Sequence, residues 1–419
     1  MSEQTGAAEE RHASWLELFF DLTVVAAAAQ ISHRLHGAET VGQVAICAAM
    51  FYAVWSVWTA TSVYANVAGE RTRRRTVLWT MLGIGVMAAA APGVWPGLLP
   101  EHGAAELSAR ASGDSRTIAF TIAFLLCRGL ASRSASSDGK VIGFWPATQG
   151  VSAVPWVVAL LVRPETAYWL WLGGIAADLL FSVMGARNPK AMEQRADSIR
   201  REQDKQQRRD RWFYRLPFGR PDDVPVQPPL ISMAKVERGH LDERLGLFVI
   251  IVLGEALAQV VAADTALEWD WRVAAASLAA FWLVIELWQL TTLYGFTPAP
   301  RSTTPLQPWA ALLAHLGVTG AILAMAAGLG GLIAESGEHP ETKERWYLFG
   351  GLALYCAISG VAGVIGRVRL RWFLGWQLPC LLAAVLIAVL GHGLPGWALA
   401  ALAAVVPTWL AGYTRLVKR

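Results

Sequence analysis

Residues 309–333, WAALLAHLGVTGAILAMAAGLGGLI, contain no Asp, Glu, Lys or Arg and are apolar along almost their whole length. A membrane-spanning helix needs about 20 mostly apolar residues, because each residue rises ~1.5 Å and the hydrocarbon layer is ~30 Å thick. Lipid offers no hydrogen-bond partner to the backbone, so only helices and closed barrels can span it. A continuous apolar run of this length predicts a transmembrane helix and excludes the ten-residue alternation of a barrel strand.

Similar runs recur along the chain, whose composition is 54% hydrophobic and only 16% charged. A soluble domain carries about 25% charged residues, so the deficit points to lipid as the solvent. The sequence predicts an all-α, polytopic membrane protein with about twelve spans. The predicted spans cover residues 15–36, 40–64, 76–95, 116–133, 141–162, 166–184, 241–263, 272–294, 309–333, 346–366, 371–391 and 394–414.

The positions of the basic residues test this count. With the N-terminus inside, 28 of the 36 Lys and Arg residues fall in inner segments and 7 in outer segments. This asymmetry is the one that the positive-inside rule requires, and adding or removing a span would destroy it. We therefore expect a multi-pass protein of the cell membrane with both termini in the cytoplasm.

A basic, proline-rich segment divides the chain into two halves of six spans. The predicted organisation is a tail at 1–14, a first half at 15–184, an inner loop at 185–240, a second half at 241–414 and a tail at 415–419. Six spans per half would give the first and seventh helices the same direction, as in a parallel repeat of the kind known in transporters.

Charged and polar residues interrupt the predicted spans at many points. A charge at mid-membrane costs about 2.5–3.5 kcal/mol on insertion scales, so such residues are candidates for function or for pairing. We consider them candidates for ion binding, substrate binding or proton relay. They are Glu17, Asp21, Gln30, His33, Arg128, Asp178, Glu243, Arg244, Glu255, Gln259, Glu286 and His315.

Spacing and depth suggest how some of these residues meet. Glu17 and Asp21 lie four residues apart, on one helix face, and would repel each other without a cation, proton or arginine between them. Asp21 and Arg128 lie at similar depths, about 9 and 8 Å from the inner ends of their spans. We therefore predict that Asp21 pairs with Arg128. Trp55 and Trp58 lie deep in the second span and are interpreted as packing residues.

Several functions are disfavoured because their motifs are missing from the sequence. It contains no GxxxxGK[ST] loop and no HExxH motif. Its four cysteines, at 47, 127, 356 and 380, lie in apolar stretches without metal-ligand spacing. We expect no cofactor, no bound metal and no nucleic-acid partner.

Two segments carry a family resemblance. Residues 15–25, WLELFFDLTVV, continue to QISH at 30–33, and residues 240–255 read HLDERLGLFVIIVLGE. They resemble the two signatures of the bacterial low-temperature-requirement A (LtrA) family, W-x-E-L-F-F-D-L with Q-x-S-H, and H-x-x-E-R-x-G-L-F-x-I-I-x-L-G-E. The resemblance implies that the matching positions matter to the family, although it implies no particular molecular activity. Those positions are Glu17, Asp21, Gln30, His33, His240, Glu243, Arg244, Gly246, Gly254 and Glu255.

The two-half layout and the polar groups of the first and seventh helices favour a transporter or ion-coupled permease. Its partners would be membrane lipids and a small ion or organic substrate, and a homo-oligomer is compatible with the sequence. Two alternatives stay open. One is a membrane-embedded enzyme acting on a lipid or isoprenoid, with Glu255 or Asp21 as general acid. The other is a non-catalytic factor that adapts the membrane to cold or stress.

Overall fold

A computed structural model of the chain describes residues 14–68, 74–94, 115–130, 140–141, 151–187, 197, 201, 205, 232–233, 236–265, 267–297, 304 and 306–416. Within these residues we number the helices of seven or more residues α1 to α12. They are α1 (Trp15–His36), α2 (Val41–Ala68), α3 (Arg74–Ala90), α4 (115–130), α5 (Ala153–Ala159), α6 (Pro164–Arg187), α7 (Arg238–Thr265), α8 (Trp271–Tyr294), α9 (Pro308–Ala334), α10 (Thr342–Ile365), α11 (Leu370–Gly393) and α12 (Gly396–Leu416).

The all-α membrane fold expected from the sequence is confirmed. Ten of the described helices, all except α4 and α5, are long and apolar enough to cross a membrane. The only strands within the described residues are Lys140–Val141 and Ser232–Met233, which pair in parallel. The total of twelve spans and the repeat between the halves remain predictions.

The fourth and fifth predicted spans are the ones for which the described residues show no full-length helix. Helix α4 is described over residues 115–130, and Arg128 near the end of this range forms an ion pair. The span predicted at 141–162 is wrong at its start, because Val141 lies in a short strand paired with Met233. Only Ala153–Ala159 of that span is helical among the described residues, while 142–150 and most of the 185–240 loop lie outside them.

Helices α2 and α9 form the centre of the bundle. Residues of α2 from Ala49 to Ala68 are buried almost without interruption, and α9 is buried on most of its surface. Lipid could also cover an apolar helix, so it is their burial by neighbouring helices that places α2 and α9 at the centre. Helix α1 packs against α2, α3, α7 and α9, while α7 and α10 pack against α9. Helix α12 packs against α8.

The start of α1 is fixed by a capping box between Ser14 and Glu17. The Glu17 N–H donates to the Ser14 hydroxyl at 3.3 Å, and the Ser14 N–H donates to Oε2 of Glu17 at 2.7 Å. This reciprocal arrangement satisfies backbone donors that a helix start leaves unpaired. We call the end of the bundle where α1 begins the inner end, and the end where His36 closes α1 the outer end.

Close helix contacts depend on glycine at a few positions. In α10, a Cβ atom on Gly351 would lie 2.8 Å from the carbonyl oxygen of Ala321 and 3.1 Å from the backbone nitrogen of Met325, both in α9. Small residues at helix interfaces allow this approach of two backbones, which lipid alone would not drive together.

We expect Gly351→Ala to destabilise the protein by about 1–3 kcal/mol, because the added methyl group meets backbone atoms that cannot rotate away. Thermal unfolding of purified protein in detergent, followed by tryptophan fluorescence, measures this change. Gly85→Ala in α3 is the matched control, since its Cβ would meet no atom within 4 Å. Equal melting temperatures for the two variants would contradict the packing described here.

Candidate functional site

A buried ion pair joins α1 to α7 near the inner end. Nη2 of Arg244 donates to Oδ1 of Asp21 at 2.8 Å and to the hydroxyl of Ser62 at 3.1 Å. The same Asp21 oxygen accepts a hydrogen bond from the indole nitrogen of Trp58 at 2.7 Å. Both charged side chains are 1% exposed. Helices α1, α2 and α7 therefore meet at one carboxylate oxygen.

Helix periodicity explains why these groups converge. Glu17, Asp21 and Val24 share the buried face of α1, while Trp15 and Leu22 are exposed on the opposite side. Residues separated by three or four positions lie on one helix face. In the same way, His240, Arg244 and Phe248 are spaced four residues apart, so they share the face of α7 that packs against α1 and α2.

The remaining polar atoms of this ion pair are unusual. Among the described residues, no hydrogen-bond partner is found for Oδ2 of Asp21 or for Nε and Nη1 of Arg244, although all three atoms are buried. Buried polar groups are normally hydrogen-bonded, because an unsatisfied one loses its hydration without compensation. The ion pair therefore has one hydrogen-bond acceptor, on Asp21, and two donor nitrogens, on Arg244, that no described residue engages.

A second contact between the same helices lies one turn closer to the inner end. Oε1 of Glu17 is 3.6 Å from Nε2 of His240. Asn66 in α2 exchanges two 2.9 Å hydrogen bonds with the backbone of Glu237, which fixes the orientation of its amide. The remaining amide hydrogen of Asn66 points at Nδ1 of His240, 3.1 Å away. His240 therefore accepts at Nδ1 and carries its proton on Nε2, facing Glu17.

This tautomer satisfies both contacts of the ring, because a hydrogen on Nδ1 of His240 would face the N–H of Asn66.

His315 lies beside this cluster in an aromatic box. Nδ1 accepts from the indole nitrogen of Trp55 at 2.9 Å, and Nε2 lies 3.1 Å from the carbonyl oxygen of Leu245. Because a carbonyl only accepts, the proton is on Nε2. The ring stacks on Trp58 with centroids 5.6 Å apart and an interplanar angle of 21°. His315 thus joins α2, α7 and α9, with both ring nitrogens engaged.

Arg128 does not pair with Asp21, contrary to the prediction from depth. It binds Asp178 of α6 in a bidentate contact, with Nη2 at 2.6 Å from Oδ1 and Nη1 at 2.8 Å from Oδ2. Tyr52 donates to Oδ2 at 2.9 Å, and Ser152 contacts both members of the pair. Similar predicted depths do not say which helices are neighbours, and α4 pairs with α6 here. Every carboxylate oxygen of Asp178 is satisfied, which is the pattern of a structural ion pair.

The other predicted residues are distributed over the bundle. Glu255 is buried in α7 and accepts a 2.6 Å hydrogen bond from Gln259, one turn on. Glu286 is buried in α8. Glu243 is half-buried and borders a cavity of about 480 Å³, which α7, the end of α8 and the start of α9 line.

Gln30 and His33 are separate from all of these groups. They lie on the exposed face of α1, which is the face of Trp15, Phe19 and Leu22. The resemblance to the family signature therefore spans residues on opposite sides of one helix. Only Glu17 and Asp21 of that signature belong to the buried cluster.

Several groups that complete these sites were not predicted as site residues. Trp55 and Trp58, interpreted from the sequence as packing, each donate an indole hydrogen bond to a titratable side chain. These residues are uncharged and lie in apolar helices, so they do not stand out in the sequence. Only the charged or titratable residues that they contact were predicted as site residues. The polar groups missed in this way are Tyr52, Ser62, Asn66 and Ser152.

A metal centre requires several ligating side chains close together. In the part of the chain that the structure describes, no group of three or more His, Cys, Asp and Glu side chains could hold a metal ion. The four cysteines are free and buried.

The fold and the buried ion pairs together define a polytopic helical membrane protein with charged groups inside its bundle. Comparison with protein families matches residues 12–412 to the family described as "Bacterial low temperature requirement A protein (LtrA)". The chain belongs to the LtrA family. No match was found in the comparison with curated proteins or in the comparison with solved structures.

We expect Asp178→Leu to destabilise the protein by about 3–5 kcal/mol, because it leaves Arg128 without its buried partner. Detergent unfolding of the purified variant measures the loss. The double variant Arg128→Met with Asp178→Leu should recover a large part of it, since no unpaired charge remains. A single variant as stable as the wild type would show that the ion pair contributes nothing to the fold.

Proposed function

We propose that the protein is a transporter or ion-coupled permease in which Asp21 binds the coupling ion, a proton. The observation that carries this proposal is the buried Oδ2 of Asp21, which has no hydrogen-bond partner among the described residues and lies beside Arg244. Ionisable groups within membrane helices are rare and mark ion and proton pathways. Glu255, buried further along α7, is the second candidate carrier.

The proposed coupling follows from the position of Asp21 between helices. As a carboxylate, Asp21 attracts Arg244 and holds α1 to α7. A proton on Oδ2 weakens that attraction and leaves the charge of Glu17, which also interacts with Arg244. The strength of the α1–α7 contact then depends on whether the proton is bound, and this dependence is what a coupled transporter requires.

The cavity beside Glu243 is the proposed site for a second substrate. Its lining is mainly apolar and includes the charged residues Arg238, Asp242 and Glu243. A small organic substrate would fit its volume of about 480 Å³. Membrane lipids are the other expected partner, and assembly into a homo-oligomer is part of the same hypothesis.

We expect wild-type protein in sealed vesicles to carry protons down an imposed pH gradient, and Asp21→Asn to abolish this flux. A pH-sensitive dye inside the vesicles reports the flux, with Glu255→Gln measured in parallel. Glu165→Gln is the matched control, because Glu165 is exposed at the start of α6 and should leave transport unchanged. Folding and yield of every variant are compared before reconstitution.

The competing functions predict other results. If the wild type moves neither protons nor sodium or potassium under imposed gradients, ion coupling is wrong. Lipid or isoprenoid chemistry would then be tested by incubating the protein with membrane lipids and analysing the products. A non-catalytic role in cold adaptation predicts that Asp21→Asn and Glu255→Gln change only the abundance of the protein.

The proposed location is the cell membrane, with both termini and the 185–240 loop in the cytoplasm. All four native cysteines are buried, so one introduced cysteine gives a readable label. We expect a membrane-impermeant maleimide added to intact cells to label Glu338→Cys and not Arg238→Cys, both positions being exposed. The reverse labelling pattern would invert the topology.

A further inference from the structure

The outer end of the bundle contains a buried carboxylate that the sequence placed in a loop. Glu344 lies in the first turn of α10 and is 3% exposed. One of its oxygens, Oε1, is 3.4 Å from Nδ1 of His36 at the end of α1. The other oxygen, Oε2, is buried and has no hydrogen-bond partner among the described residues.

Glycines of α9 make room for this carboxylate. A Cβ atom on Gly331 would collide with the carboxyl group of Glu344. A Cβ on Gly328 would lie 2.7 Å from the carbonyl oxygen of Glu344 and 2.7 Å from the amide nitrogen of Leu348. The carboxyl group is therefore held against the backbone of α9.

His36 connects this carboxylate with water. Its Nδ1 also lies 3.1 Å from the carbonyl oxygen of Ala327. Because a carbonyl oxygen and a carboxylate both accept, Nδ1 must carry a hydrogen. The side chain is 42% exposed, whereas Glu344 is almost fully enclosed. The imidazole thus has one nitrogen committed to the protein interior and its other nitrogen available to an approaching proton.

We propose that Glu344 and His36 form a proton-exchange site at the outer end of the bundle. In the forward step, Nε2 of His36 takes a proton from water. The ring then releases its Nδ1 proton to a carboxylate oxygen of Glu344, which leaves a neutral imidazole and a neutral carboxylic acid. The reverse sequence returns the proton to water. This inference rests on the proposed proton coupling. It identifies where protons would enter or leave at the outer end, opposite to Asp21.

The other charged and titratable groups near Glu344 have different partners. Lys343 pairs with Glu341 at 3.1 Å, and both are far more exposed than Glu344. Tyr347 donates its hydroxyl to the carbonyl oxygen of Ala38 at 2.8 Å, and Arg345 donates to that of Ala388 at 2.9 Å. Glu39 is exposed. His36 is therefore the side chain positioned to exchange a proton with Glu344.

The first test uses infrared difference spectra of the full-length purified protein, recorded across a pH change. The expected result is a carbonyl band of a protonated carboxyl group that disappears in Glu344→Gln and persists in Asp21→Asn. Glu338→Gln, an exposed glutamate six residues earlier, is the matched control and should retain the band. A spectrum of Glu344→Gln identical to that of the wild type would overturn the proposal.

The second test uses His36→Gln, which keeps a donor for the Ala327 carbonyl but cannot pass a proton. Because His36 is partly exposed, this variant is expected to fold, and it remains informative if Glu344→Gln does not. We expect proton flux in vesicles to be lost or its pH dependence shifted, while the melting temperature changes little. Unaltered flux with an unaltered pH profile would mean that the contact between His36 and Glu344 only holds α1 against α10.

The two proposals fail in different ways. Absence of flux in the wild type, together with a carboxyl band specific to Glu344, would retain this site and reject transport. Flux that depends on Asp21 but not on Glu344 or His36 would retain transport and reject this site.

Discussion

The Asp21–Arg244 ion pair is the constraint around which the inner half of the bundle is arranged. Removing two charges from water costs several kcal/mol per ion, and the protein recovers this only through close pairing and additional hydrogen bonds. Trp58 and Ser62 provide such bonds from α2, so the pair requires three helices in register. Three buried polar atoms of this pair have no hydrogen-bond partner among the described residues. In the Arg128–Asp178 pair, by contrast, both carboxylate oxygens accept hydrogen bonds.

Much of this fold was predictable from hydropathy alone, because lipid imposes a length on each helix. The helices around residues 15–36, 272–294 and 309–333 begin and end within a residue or two of the predicted bounds. The segment at 141–162 was less predictable, since a moderately apolar stretch without a clear break carries no signal for a short strand. The distribution of arginines predicted a topology, but it gave no information on which helices touch.

The candidate site was predictable only as a list of its charged members. Spacing correctly placed Glu17 and Asp21 on one face of α1, yet the arginine beside them came from α7 and not from α4. Sequence position gives the height of a residue along its helix, while pairing also depends on the rotation of the helix and on its neighbours. The same limitation separates Gln30 and His33 from the cluster, and it hides Glu344, which looked like an ordinary loop residue.

Helix α2 connects these scattered charges through residues that look unremarkable in the sequence. Tyr52, Trp55 and Trp58, each three positions apart, donate hydrogen bonds to Asp178 of α6, His315 of α9 and Asp21 of α1. Turning or sliding α2 would break all three bonds together, with every freed group left in an apolar interior. Helix α2 therefore fixes the positions of α1, α6 and α9 relative to one another through three side chains that carry no charge.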